Sequence, residues 1–195
     1  MERINQRVAL TRRMVTEAML RLAAKKEPDQ ITVAELCREA GINRATFYRH
    51  YQIPRDVLAQ LQKEMFYELR DSMTMPSRPE EIYPTLLQLC TYMRDHADTL
   101  QILIRSNSDT DFVMFVNEVY TDCWKSFASI PMLRKLDQED IRFLILYSAG
   151  GSYFVLRHWM LDNIQKSPQQ MADYLCGLLR KPDWTMLTSQ IGSVR

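Results

Sequence analysis

Glycine is scarce: only five residues in 195. Alternating apolar and polar residues are nearly absent, so strand-rich folds and their tight hairpins are excluded. No run of 18 or more apolar residues occurs, which predicts no membrane-crossing helix. The opening stretch MERINQRVALTRRMV has no apolar signal core, because Arg12 and Arg13 interrupt it. The four cysteines, Cys37, Cys90, Cys123 and Cys176, are scattered without a CxxC pair, which fits free, buried thiols in a cytoplasmic chain. His50, His96 and His158 are the only histidines, and none has a partner at ligand spacing, so neither metal nor cofactor is expected. GxSxG, P-loop and GxGxxG patterns are missing. The adjacent acids Glu80-Glu81 and Glu139-Asp140 sit at predicted helix starts, where the macrodipole accounts for them. With no catalytic constellation, the expectation is a protein that is not an enzyme.

What is present is helix and an uneven distribution of charge. Between Met1 and Arg55, eleven basic residues face six acidic ones, an excess of +5. Against a net charge of +1, the remainder of the chain therefore carries −4. A basic front on an acidic body points to a polyanion-binding face, with ordinary surface scatter as the alternative.

Apolar periodicity predicts a first helix over about Asn5–Lys25, broken by EPDQ. Thr32 with Glu35 makes a capping box, Leu36 and Ala40 form the inward stripe of a short helix, and Gly41 ends it. Asn43 caps a further helix over Arg44–Tyr51, and Pro54 opens the next. MPSRP, Met75 to Pro79, is the clearest joint. Beyond it, helices are predicted over Ile82–His96, Thr99–Arg105, Asp111–Phe127, Glu139–Asp162 and Pro168–Arg180.

Residues 32–51 thus read as helix, glycine turn and second helix, the layout of a helix-turn-helix. The second helix must enter a major groove leading with its N-terminal end. Arg44, Ala45, Thr46, Tyr48 and Arg49 suit that exposed face. Phe47 and Tyr51, four apart, can turn inward.

AELCREAGINRATFYRHY, Ala34 to Tyr51, resembles the DNA-binding signature of the TetR family of transcriptional regulators. Gly41, Ile42, Asn43, Thr46, Phe47, Tyr48, His50 and Tyr51 match its order and spacing. The resemblance implies an all-α fold: a three-helix helix-turn-helix domain over 1–53, then a larger ligand-sensing and dimerisation domain over 54–182. Within the latter, the helix over 54–73 connects the two, and 183–195 forms a flexible tail. Arg44 and Ala45 then face base edges, Thr46, Tyr48 and His50 hold phosphates, and Thr32 caps and touches the backbone. Asn43, Arg49 and Arg55 complete the expected DNA-binding set. The sequence departs from the family where many members carry Ser-Lys after the aromatic pair: here stand Ile53 and Pro54, with Arg55 one residue late. Ala34 likewise offers no polar group.

In the second part, aromatic and methionine residues at helical spacing read mostly as core. A subset can line an apolar cavity, with Arg105, Tyr120, Trp124 and His158 as polar or aromatic edges. SAGGS, Ser148 to Ser152, places two glycines in a helix at about 1 kcal/mol each, which close approach of another helix would offset. YSAGGSYFVLRHWM also resembles a TetR subgroup. By that resemblance the last two helices pair two subunits, with Tyr147, Gly151, Phe154, Val155, Trp159 and Leu175 at or near the interface. Packing within one subunit is the alternative. The expected protein is a cytoplasmic, ligand-responsive repressor that binds a pseudo-palindromic double-stranded DNA operator as a homodimer. A co-regulator with weakened DNA binding, acting through a protein partner, is the second possibility.

Overall fold

The computed structural model describes residues 2–76, 78–106, 110–127, 137–162 and 165–180. The described residues are helical, with no strand among them. In chain order the helices are α1 (Glu2–Ala23), α2 (Val33–Ala40), α3 (Arg44–Tyr48), α4 (Pro54–Ser72), α5 (Ile82–Asp95), α6 (Ala97–Ser106), α7 (Thr110–Phe127), α8 (Gln138–Leu161) and α9 (Pro168–Arg180). Short 3₁₀ turns occupy Pro28–Gln30 and Pro79–Glu81. The tail expected over 183–195 lies outside the described residues.

Two compact units divide the chain, and neither is continuous. The first comprises Met1–Ser72 and His96–Phe115; the second comprises Met73–Asp95 and Val116–Arg195. Helix α4, expected to connect two domains, is grouped with the N-terminal unit along its whole length, and α6 joins it there.

The first unit buries one face of each helix. Val15, Ala18 and Met19 of α1 are fully buried. Leu36 and Ala40 of α2, Phe47 of α3, and Val57, Leu58 and Leu69 of α4 join them. Leu100 and Leu103 bring α6 into the same core. The five residues of α3 are too few to hold a helix alone, so its conformation depends on Phe47 and on its caps.

In the second unit α5 packs on α9, and Cys90 and Met93 of α5 and Met171, Ala172 and Leu175 of α9 are buried. Tyr153, Leu156 and Met160 of α8 are buried. Burial pushes the Cys90 thiol up to about 12. Cys37 and Cys176 are also free and buried, while the side chain of Cys123 lies outside the described residues. Asp137 caps α8 by accepting from the Asp140 amide at 2.8 Å. Ser167 and Gln170 exchange hydrogen bonds across the first turn of α9.

Candidate nucleic-acid interface

The site is assembled from caps. At the start of α2, the Glu35 amide donates to Thr32 Oγ1 at 3.2 Å, and the Thr32 amide donates back to Glu35 Oε2 at 3.0 Å. The Thr32 hydroxyl gives its own proton to Glu35 Oε2 at 2.9 Å. Lys26 Nζ holds both oxygens of the same carboxylate at 2.8 and 2.9 Å. Lys26, then Thr32, holds the Glu35 carboxyl well below its usual range, at about 2. Thr32 is exposed, but both functions of its hydroxyl are already engaged within the chain.

Helix α2 ends at Gly41, whose φ of 67° lies in the left-handed region that side chains disfavour. The Ile42 amide then reaches back to the Cys37 carbonyl at 3.0 Å and completes the stop. The turn delivers Asn43, whose Oδ1 accepts from the Thr46 amide at 2.7 Å. Asn43 is therefore the cap of α3.

Arg44, Ala45, Tyr48 and Arg49 are exposed, Thr46 and His50 are half-buried, and Phe47 and Tyr51 are buried. The Tyr48 ring is 58% exposed yet stands edge-on to Phe47 at 5.6 Å, so the core orients it while its hydroxyl remains outside. Arg49 Nη2 donates to Thr46 Oγ1 at 3.2 Å, which leaves its other donors available. The helix is shorter than the expected Arg44–Tyr51. The His50 and Tyr51 amides both return to the Phe47 carbonyl, and Arg49 and His50 form the turn that follows.

The start of α4 differs from the rest. Asp56 Oδ2 accepts from the Gln52 amide at 2.8 Å and the Ile53 amide at 3.0 Å. The Asp56 amide returns to the Ile53 carbonyl at 3.1 Å, and Pro54 has no N–H. Arg55 is directed into its own unit: Nη2 donates to the Ser106 carbonyl at 3.0 Å, and Nη1 lies 3.8 Å from Asp29 Oδ1. It steadies the C-terminal end of α6, where a cation is favoured. Ala34 is exposed and adds no polar group.

The residues expected around an effector are dispersed. Arg105 belongs to the first unit and is exposed. In the second unit Tyr120 Oη shares a 2.5 Å hydrogen bond with Ser152 Oγ of α8. His158 lies nearly two turns further along α8, with Nδ1 2.5 Å from Asp162 Oδ2. The side chain of Trp124 lies outside the described residues. His158 borders an open groove of about 750 Å³ between the end of α8 and the start of α9, together with Arg157, Trp159, Lys166 and Tyr174.

Of the residues expected to pair two subunits, Tyr147 and Phe154 are 68% and 66% exposed, Gly151 is exposed and Val155 is half-buried. Trp159 and Leu175 instead belong to the interior. Trp159 Nε1 donates to the Lys166 carbonyl at 3.1 Å, and the Arg94 guanidinium lies 5.9 Å from its ring, so this indole pins the end of α8 within the chain. Phe143, Leu146, Tyr174 and Leu178, not singled out from the sequence, are at least half exposed. With Tyr147 and Phe154 they extend an apolar surface along α8 and α9, and the 143, 146/147, 150/151, 154 spacing was its signal. A methyl group added at Gly150 or Gly151 meets no atom of the described residues within 4 Å, so packing against those residues does not explain either glycine.

Comparison with known proteins agrees with this architecture. A family model described as bacterial regulatory proteins, tetR family, matches residues 15–58. A transcriptional regulator C-terminal region of TetR type matches residues 80–181. The uncharacterized HTH-type transcriptional regulator YxbF of Bacillus subtilis (strain 168) is 25% identical over 177 residues, which are 87% of this chain and 44% of the relative. The chain thus spans less than half the length of that relative. Among solved structures, the dihydroxyacetone kinase operon activator DhaS aligns with a TM-score of 0.63 at 19% identity, covering 87% of this chain and 94% of its own. A TetR transcriptional regulator from Streptococcus agalactiae 2603V gives 0.63 at 18% identity, covering 90% and 96%. NalD, the secondary repressor of the MexAB-OprM multidrug efflux pump in Pseudomonas aeruginosa, gives 0.59 at 18%, covering 87% and 94%. At these identities the structural likeness concerns the fold.

Proposed function

The chain belongs to the TetR family of bacterial regulatory proteins, and on that premise we propose that it is a ligand-responsive repressor that binds a pseudo-palindromic operator as a homodimer. The observation that carries the reading is α3: a short helix capped by Asn43, braced by Phe47, with Arg44 and Ala45 exposed at its leading end. In a major groove, Arg44 has the geometry for a bidentate contact to guanine, and Ala45 is small enough to let the backbone approach. Tyr48, Arg49 and His50 then contact phosphates, which fix register and carry no sequence information. Two such helices in one dimer read half-sites about one helical turn apart.

The apolar surface of α8 and α9, with its two uncrowded glycines, supports a second copy of the chain as partner. An effector bound in the second unit, with the His158 groove and Tyr120 as its contacts, acts by favouring a dimer geometry that no longer matches the half-site spacing. DhaS is an activator and NalD a repressor, so the fold serves either sign. Repression is the simpler, since occupying DNA suffices for it.

Selection of bound sequences from a random duplex pool by the purified protein tests this. The expected product is an inverted repeat. On it, Arg44→Ala abolishes discrimination between operator and scrambled duplex, while Tyr48→Phe weakens both alike. No enrichment, or unchanged binding in both variants, rejects the reading. A second reading has one observation in its favour: Asp56 and Pro54 leave little at the start of α4 for a phosphate. On that reading the protein acts through a protein partner with weakened DNA binding of its own, and tight, salt-sensitive, sequence-specific binding by the isolated protein excludes it.

A further inference from the structure

A DNA-binding face needs cations that are not already neutralised, and the start of α4 has none to give. The amides of Gln52, Ile53 and Asp56 are used within the chain, Pro54 has none, and Arg55 is turned toward Ser106 and Asp29. Asp56 adds a negative charge at the place where a phosphate would sit.

Beside that start, a polar groove of about 520 Å³ opens between α1, the end of α3 and the first turns of α4. Arg12, Tyr48, Arg49, His50, Gln52 and Gln60 line it, with Asp56 on its wall. The carboxylates near this groove have partners. Asp56 holds two amides, Glu64 accepts from Gln60 Nε2 at 2.6 Å, and Glu17 pairs with Arg13 at 2.8 Å. Arg12 forms no ion pair among the described residues, although its neighbour Arg13 does. It is exposed and stands near the Tyr51 hydroxyl: burial pushes that phenol up, and Arg12, with the Thr16 side chain that bonds Tyr51, offsets part of the rise. Arg49 gives one nitrogen to Thr46 and keeps the rest. Two guanidiniums, one from α1 and one from the residue just past α3, therefore line one groove together with the exposed Tyr48 and the half-buried His50.

We propose that Arg12 and Arg49 form a clamp for a DNA backbone phosphate at the edge of the half-site, in place of the start of α4. The assignment rests on the DNA-binding reading above and names a contact that reading does not contain: α1 reaches the duplex through Arg12. A planar guanidinium holds a phosphate by two parallel hydrogen bonds, so the clamp adds grip and no base preference.

The test is fluorescence anisotropy of the full chain on the selected operator and on a scrambled duplex, from 50 to 200 mM salt. Each cation withdrawn from a phosphate reduces the slope of log affinity against log salt by about 0.9. Arg12→Ala is expected to weaken both duplexes by the same factor and to flatten the slope by that amount. Across the fourfold salt range the wild type then loses about 3.5-fold more affinity than the variant. Arg12→Lys keeps the slope, and Arg13→Ala behaves as wild type, because Arg13 is already paired. Thermal melts confirm that each variant is folded. A wild-type slope in Arg12→Ala, or a loss confined to the operator, overturns the clamp while leaving the DNA reading intact. If the wild type binds neither duplex, the DNA reading falls and the clamp falls with it.

Discussion

At the scale of single residues, the most perturbed acid of the DNA-binding unit is Glu35. Its carboxyl is lowered from 4.5 to about 2 by Lys26 and by the Thr32 cap. A lowered folded-state value means the group stabilises the fold fully above pH 4.5 and loses that contribution as pH falls through about 2. Glu35→Gln should therefore lower the melting temperature at pH 7. The difference from wild type should shrink below pH 4.5 and vanish near pH 2, as followed by circular dichroism. A constant difference across that range would show that the ion pair is not its source. The cap itself was legible, because Thr and Glu three apart have one strong local use. The Lys26 partner of Glu35 was not, since it arrives from nine residues earlier across a turn. Asp56 was half legible: an acid in the first turn of a helix suggests a cap, but only coordinates show it taking both Gln52 and Ile53.

At the scale of elements, periodicity located the helices, and their ends were set by hydrogen bonds the pattern does not encode. Helix α3 stops at Tyr48, and the His50 amide closes a tighter turn back to the Phe47 carbonyl. Helix α8 shows where an apolar pattern is ambiguous. Trp159 and Phe154 are both large, aromatic and five residues apart, yet one is pinned by Lys166 and Arg94 and the other is 66% exposed. Their different fates depend on α5 and the turn before α9, which are distant in sequence. The exposed set gives a direct prediction. Phe154→Glu places a charge in the centre of the proposed pairing surface and should convert a dimer to a monomer in analytical ultracentrifugation. The same variant should leave the melting curve of the monomer nearly unchanged, since surface substitutions fall within about 0.5 kcal/mol. A dimer that survives Phe154→Glu places the pairing surface elsewhere.

At the scale of the whole molecule, the compact units do not follow the order of the chain. The first unit takes α6 from beyond α5, and Leu100 and Leu103 of that helix are buried in it. Sequence periodicity assigns residues to faces but not helices to units, so a division before α4 was the natural reading. A fragment of residues 1–72 should therefore melt well below the full chain, because it lacks the buried face of α6 and the Ser106 carbonyl that Arg55 holds. A fragment that melts with the full chain would mean that α6 contributes nothing to this unit.

Gly150 and Gly151 set a lower limit on any assembly. Each gives up about 1 kcal/mol of helix propensity relative to alanine, and no neighbour among the described residues stands where the methyl would be. Two chains together forgo about 4 kcal/mol, equivalent to about a thousandfold in a dissociation constant. If a second copy is what the glycines admit, the closer approach they allow must tighten the pair by at least that factor before the dimer gains anything from having them.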